Sequence, residues 1–403
     1  MQQNSLEDSI DYIMGDASFL DSCQRTSVKT IFNEEIIAFL DDLSKELLSD
    51  RDAKGYSDIV TFAFWIRRAS ISRYREQYEK KMEQLCVGRG TVFHVAPSNV
   101  AMNFAYSLVV GLLAGNINIV RISSKEFPQT DIVVRAMEKT MEKHPEIRDY
   151  ICLVKYGHDV RINDLLSGLS DVRIVWGGDD TIALFRQSPL RPRATEILFS
   201  NRYSLAVIDS DTYLAADDKA RIASDFYNDT YLMDQNACSS PRMVIWVGKE
   251  IGKAKELFWN ELHKVVSARY DYQDIQGMDK YLDSCLAAID LDDAKIEPTG
   301  DNLITRISLK ELSKDVVDHF GNSGFFLEYD ASDISEIRDV CDDTRCQTIS
   351  FIGDIKSLEN LGLSSLKGID RIVPVGKSMD FDLIWDGYDL ITHLSRIISI
   401  KTK

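Results

Sequence analysis

The feature that most constrains this chain is a regular alternation that begins at Thr91. TVFHVAP (91–97), INIVRIS (117–123), YICLVKY (150–156) and VRIVW (172–176) are short β-rich runs, and between them lie helical stretches at 100–113, 128–143 and 160–169. The order is βαβαβαβ. Near-continuous apolar strands separated by helices specify a parallel sheet buried on both faces. In such a sheet ligands gather at the carboxyl ends of the strands, so the residues just past each strand carry the most information.

Those strand ends are polar. Ala96, Pro97, Ser98 and Asn99 follow the first strand; an Asn99 amide there suits either a donor to an oxyanion or a cap for the next helix. Arg121, Ser123, Ser124 and Lys125 follow the second, a basic and hydroxyl-rich end suited to phosphate. Gly177 and Gly178 follow the fourth and permit either close backbone approach to a pyrophosphate or a plain tight turn. There is no GxGxxG fingerprint. His94, inside an apolar strand, reads as a hydrogen-bonded core residue.

A second α/β unit follows, with β-rich runs SLAVID, MVIWVG, LITRIS, FFLEY and QTISFIG. Just before MVIWVG lies QNACSSPR (235–242), a polar loop of small residues centred on Cys238. A loop cysteine with small neighbours is open to substrate and close to backbone N–H groups, which suits a nucleophile; a half-buried structural thiol is the alternative.

Composition narrows the setting. A formal charge of −17 over 403 residues excludes a sequence-independent nucleic-acid grip and a polybasic membrane anchor. The seven cysteines show no zinc spacing and read as reduced thiols, and no metal site is expected. The first residues lack a signal-peptide pattern, and the longest largely apolar stretch, 104–114, is too short to span a bilayer. A cytoplasmic protein is expected. Four regions are expected: a helical region at 1–88 packing on the cofactor domain, a Rossmann-like cofactor domain at 89–203, a catalytic domain at 204–366 and a C-terminal segment at 367–403.

Five stretches in this order resemble the LuxC-like fatty acyl-CoA reductases of the aldehyde dehydrogenase superfamily: PSN (97–99), GNINIVR (115–121), WGGDDTI (176–182), QNACSSPR, and DRIVPVGKSMDFDLIWDGYDLITHLSRI (370–397). The resemblance implies an aldehyde dehydrogenase-like fold of two parallel-sheet α/β domains with an N-terminal helical region and a C-terminal oligomerisation strand. It assigns Cys238 as nucleophile and Asn99 as oxyanion donor, and gives the cofactor to Arg121, Ser123, Ser124, Lys125, Gly177 and Gly178. The reaction implied is reduction of an activated acyl group, from acyl-CoA or an acyl-carrier thioester, to an aldehyde. An acyl carrier protein or acyl-protein synthetase is an expected partner. SRIISI (395–400) is similar to the superfamily's oligomerisation arm, which implies a homodimer or homotetramer.

Two departures refine this reading. Oxidative aldehyde dehydrogenases place a glutamate base where this chain has Leu198, with Glu196 two residues upstream; without that base the acyl-enzyme is spared hydrolysis. NAD-preferring relatives place a glutamate where this chain has Ser124, followed by Lys125, so NADPH is the expected cofactor. An oxidative dehydrogenase using Glu196 and a non-catalytic acyl-presenting subunit are the alternatives.

Overall fold

A computed structural model describes residue 6, residues 9–81 and residues 84–401. The chain divides into two compact units, Met1–Ser200 with Phe381–Lys403, and Asn201–Asp380.

In the first unit the six-stranded sheet runs β1 (Asp11–Met14), β5 (Ile151–Lys155), β4 (Ile117–Arg121), β3 (Thr91–Val95), β6 (Val172–Trp176), β7 (Thr195–Phe199). Every pairing is parallel except that of β1 with β5. The strand order reverses at β3, with β4 and β5 to one side and β6 and β7 to the other. The carboxyl ends of β3 and β6 therefore flank the topological switch point, where such a sheet opens a crevice.

The N-terminal region is not wholly helical, since it also supplies β1 and β2 (Leu85–Gly88). Its helix α1 (Glu34–Ser49) is started by Asn33, whose side chain accepts from the Glu35 N–H at 3.0 Å. Ile36, Ile37, Leu40, Leu43 and Leu47 fall on its buried face. In α2 (Ser57–Trp65) Phe62 and Trp65 are core residues, whereas Phe64 is exposed with the Arg67 guanidinium over its ring.

Helix α3 (Asn103–Leu113) is apolar on nearly every side because every side is covered: Phe104 through Leu113 are all buried. Gly111 lets it approach the sheet, since a Cβ there would lie 2.0 Å from Asn118 Oδ1. Here His94 is fully buried, with Nδ1 2.7 Å from Ser107 Oγ and Nε2 3.0 Å from Asn118 Oδ1. Trp176 Nε1 donates to the same Ser107 oxygen at 3.0 Å, so the network closes with a neutral imidazole that donates from Nε2 and accepts at Nδ1.

Burial pushes His94 down to about 4 from an ordinary 6.5. The unfolded chain therefore binds a proton between those values that the folded chain refuses. This contribution to stability is complete above pH 6.5 and is lost as pH falls through 4, a change of about 3 kcal/mol. Denaturant midpoints of wild type minus His94→Gln are expected to rise with pH across that window. A flat difference curve would show that His94 takes up its proton equally in the folded and unfolded chain, and a curve falling with pH that the folded chain holds the imidazolium.

In the second unit the sheet runs β10 (Lys295–Ile296), β11 (Thr305–Leu309), β12 (Phe325–Asp330), β9 (Pro241–Val247), β8 (Tyr203–Asp209), β13 (Cys346–Ile352), β14 (Arg371–Pro374), parallel throughout except for β10 with β11. Both faces are covered. Leu205, Val207, Met243 and Ile245 enter one core, while their alternating neighbours Ala206, Ile208, Val244 and Trp246 enter the other. The second core is bordered by α7 (Lys219–Thr230) and α8 (Ile251–Arg269). Glu328 on β12 is tolerated inside because it accepts from Trp246 Nε1 and Trp259 Nε1 at 2.9 and 2.7 Å and pairs with Arg306 at 3.1 Å.

The C-terminal segment returns to the first unit. Ile384–Trp385 and Tyr388–Asp389 pair as a tight hairpin, β15 and β16, whose two loop residues Asp386 and Gly387 have φ of 49° and 73°. Asp-Gly at two successive positive-φ positions is the sequence such a hairpin demands. Trp385, Asp386 and Gly387 thus shape a turn. Strand β17 (Ser395–Ile398) pairs antiparallel with β2 of the same chain. No described helix is long and apolar enough to cross a membrane.

Candidate active site

Cys238 sits at the amino ends of β8, β9 and β13, on a loop whose backbone is tied by Gln235 N–H to Thr230 O and Asn236 N–H to Met233 O, each at 2.8 Å. Asp234 and Gln235 both take left-handed φ values, 51° and 56°, an uncommon pair for side-chain-bearing residues. The Gln235 side chain, fully buried, adds to those backbone bonds. Its Nε2 donates to Pro241 O at 3.0 Å and Phe325 O at 3.2 Å, and its Oε1 accepts from the N–H groups of Gly324 at 2.6 Å and Phe325 at 3.1 Å. One side chain thereby pins the loop to the start of β9 and to β12. Asp234 is held in turn by Tyr270 Oη at 2.5 Å.

The thiol itself is half-buried between the buried residues Ala237 and Ser239. Gln347 Nε2 donates to Cys238 Sγ at 3.2 Å, and Ser204 Oγ donates to the Cys238 carbonyl at 2.7 Å. Arg242 is also close in the electrostatic sense. Burial lowers its guanidinium, and attraction to a charged Cys238 sulfur opposes that shift. Its Nη2 donates to Gln235 O at 2.9 Å, while its buried Nε has no hydrogen-bond partner. An amide N–H on the sulfur and a part-buried cation within electrostatic reach are surroundings that favour a thiolate.

The other thiols differ. Cys23, Cys86, Cys152, Cys341 and Cys346 are buried, and burial pushes Cys152 up to about 12, which keeps a thiol inert. Cys285 is the other half-buried thiol and lies elsewhere, on α9 (Asp274–Asp290).

Part of the C-terminal signature covers the loop. Ser239 Oγ lies 3.3 Å from Met379 Sδ. The 376–379 turn is anchored by Asp229 on α7, which accepts from the Gly376 N–H at 2.6 Å and the Ser378 N–H at 3.0 Å. Burial pushes the Asp229 carboxyl up to about 6.

In the first unit, Asn99 lies in the exposed turn after β3. The following helix begins only at Asn103 with Met102 at its N-cap position, so Asn99 does not cap it. Arg121 ends β4 with its guanidinium stacked on Tyr156 at 4.7 Å, Nη2 donating to Tyr156 O at 3.4 Å and a buried Nε without a hydrogen-bond partner. Beyond it Ser123 Oγ accepts from the Lys125 N–H at 3.0 Å, and Ser124 and Lys125 are exposed. Past β6, a Cβ on Gly177 would lie 2.9 Å from Thr181 Cγ2, and Gly178 stands at the N-cap of α6 (Asp179–Arg186). The orphaned Arg121 Nε, the exposed Lys125 and the tight glycine turn at the switch point fit a dinucleotide phosphate, although Asp179 and Asp180 put negative charge in the first turn of α6.

Glu196 and Leu198 lie on β7, two residues apart and so on one face. Glu196 is not a loose carboxylate. Parallel register sets it beside Arg173, whose buried guanidinium donates to Oε1 through Nε at 2.8 Å and Nη2 at 2.5 Å, while Arg186 Nε lies 3.6 Å from Oε2.

Sequence reasoning passed over Gln347, Ser204 and Asp229. Gln347 lies 109 positions from Cys238, and no local pattern marks it.

The fold is that of the aldehyde dehydrogenases. The NAD-dependent benzaldehyde dehydrogenase of Corynebacterium glutamicum aligns over 97% of this chain and 94% of its own with TM-score 0.66 and 13% identity. A lactaldehyde dehydrogenase structure aligns over 95% and 90% with TM-score 0.65 and 13% identity. Within that fold the chain belongs to the acyl-CoA reductase (LuxC) family, whose model matches residues 54–274, more than half of the sequence. It is 26% identical over 322 residues to a long-chain acyl-protein thioester reductase of Aliivibrio fischeri and 24% identical over 322 residues to one of Photobacterium phosphoreum. Each match covers 77% of this chain, and 64% and 62% of those relatives respectively.

Proposed function

We propose that this chain reduces a thioester-activated acyl group, from acyl-CoA or a protein carrier, to an aldehyde through an acyl-enzyme at Cys238, with NADPH as reductant. The observation that carries the reading is the Cys238 loop: a half-buried sulfur with an amide donor and a part-buried guanidinium in electrostatic reach, on a backbone braced by Gln235. The Cys238 thiolate attacks the acyl carbonyl, a C–S bond forms, and the carrier leaves as its thiol after taking up a proton. Asn99 is assigned the oxyanion by resemblance, together with the Cys238 backbone N–H; such donors are typically worth ~3 to 4 kcal/mol each. Arg121, Ser123, Ser124, Lys125, Gly177 and Gly178 would hold the dinucleotide. When bound, its nicotinamide supplies hydride. Collapse of the resulting thiohemiacetal breaks the C–S bond, releases aldehyde and returns the thiolate. In this reading residues 89–203 serve the cofactor and 204–366 the acyl group, in a cytoplasmic homodimer or homotetramer fed by a carrier protein or acyl-protein synthetase.

The engagement of Glu196 by Arg173 and Arg186 argues against the oxidative alternative, because the base it needs is already committed. Retention of both Cys238 and Asn99 argues against a non-catalytic subunit. Product analysis separates the three. Aldehyde from acyl thioester plus NADPH is the expected result; carboxylate from aldehyde plus NADP, or neither product, would reject it.

The cofactor assignment has its own test. An ammonium at Lys125 favours a 2′-phosphate, and a carboxylate there would repel it. Lys125→Glu is expected to move the NADPH to NADH ratio of kcat/KM by about tenfold or more toward NADH. An unchanged ratio would remove Lys125 from the cofactor site.

A further inference from the structure

Helix α9 is amphipathic in the wrong sense for a surface helix. Its buried positions are Lys280, Ser284 and Ala287, whereas Ile275, Met278, Leu282, Leu286 and Ile289 are between 53% and 77% exposed. Their spacing of three, four, four and three residues lines them up as one continuous stripe. A run of large apolar side chains on one exposed face marks an interaction surface, where scattered ones would not. The β10 strand, which packs along α9, adds Ile296 at 45% exposed.

Charge decides the occupant. Asp279, Asp283 and Asp290 fall on one flank of the stripe by helical spacing, and Asp274 lies on the other. Asp283 is held above the usual carboxylate range by burial and by neighbouring Asp279. The helix carries one basic residue, Lys280, and that ammonium is turned inward onto the carbonyls of Asn302 and Ser323. No exposed cation on α9 is therefore left to meet an acid. A second copy pairing antiparallel about a two-fold axis would bring the aspartate flanks together, which like charge opposes. A nucleotide or an acidic carrier surface is disfavoured for the same reason.

We propose that α9 is a docking face for a different protein that presents an apolar helix or groove flanked by lysine and arginine. The face is wired to the nucleophile loop. Lys280 holds Ser323 O, the neighbouring Gly324 N–H is bonded to Gln235, and Gln276 at the start of α9 donates to Tyr270 Oη at 2.9 Å, which in turn donates to Asp234.

The test uses the full chain and a labelled amphipathic peptide whose leucine stripe is flanked by lysines, beside the same peptide with glutamates in their place. The lysine peptide is expected to bind saturably and to slow amide exchange across 274–290. Leu282→Gln with Leu286→Gln, which leaves net charge unchanged, should weaken it about tenfold or more. Equal binding to that variant would reduce the effect to general attraction by an acidic protein and overturn the proposal. So would equal binding of the glutamate peptide, or binding of neither. Self-association that the same substitutions abolish in sedimentation would overturn it in favour of a second copy.

Discussion

Cys238→Ala is expected to leave a folded protein that no longer takes up an acyl group. Removing the sulfur frees one amide donor, Gln347 Nε2, from a bond to a weak acceptor, a small loss beside the network that Gln235 maintains. Chemistry, by contrast, loses its nucleophile. Wild type mixed with acyl-CoAs should gain the mass of one acyl group and lose it on addition of NADPH with release of aldehyde. The variant should show no adduct, and reduction should fall by ~10⁴-fold or more. Cys285→Ala is the matched control, because Cys285 is the other thiol with comparable exposure. An adduct that survives in Cys238→Ala and disappears in Cys285→Ala would move the nucleophile to α9. Turnover that survives both substitutions would end the acyl-enzyme proposal.

The parts of the fold that were legible in the sequence are those set by local periodicity. The β-rich runs at 91–97, 117–123, 150–156 and 172–176 became β3, β4, β5 and β6 because strands buried on both faces have few polar interruptions. The strands missed include β1, β10 and β14, short edge strands whose pairing depends on their neighbour more than on their own residues, and β2, which pairs with β17 more than three hundred residues away. Arg173 within VRIVW was a signal left unused. A charge inside a buried strand needs a partner, and the next strand in register supplies Glu196. For the site, sequence could name Cys238 and leave Asn99 open between donor and cap; the late start of α3 removed the cap. It could not find Gln347 or Asp229, whose partners lie more than a hundred residues away. Such pairs are decided by sheet order, which no window along the chain contains.

Gln235→Leu is expected to damage the protein more than its single-residue scale suggests. The substitution keeps the volume and removes all four hydrogen bonds, leaving the N–H groups of Gly324 and Phe325 and the carbonyls of Pro241 and Phe325 buried without them. An unsatisfied buried group costs ~1 to 3 kcal/mol, and some of the four will relax toward new partners, so about 3 to 5 kcal/mol is expected from urea midpoints. The left-handed backbone at 234–235 then lacks its brace, and acylation of Cys238 should fall even where the variant is folded. Gln235→Glu separates bonding from shape. Its carboxylate still accepts from Gly324 and Phe325 but turns an oxygen toward two carbonyls that had received an N–H. Protonation restores a donor to one of them. The buried glutamate should therefore bind its proton more tightly in the folded than in the unfolded state, so this variant gains stability relative to wild type as pH falls and loses it as pH rises. The leucine variant should show no such recovery. If both variants match wild type in stability and acylation, the loop is held by its backbone, and Gln235 is a passenger in it.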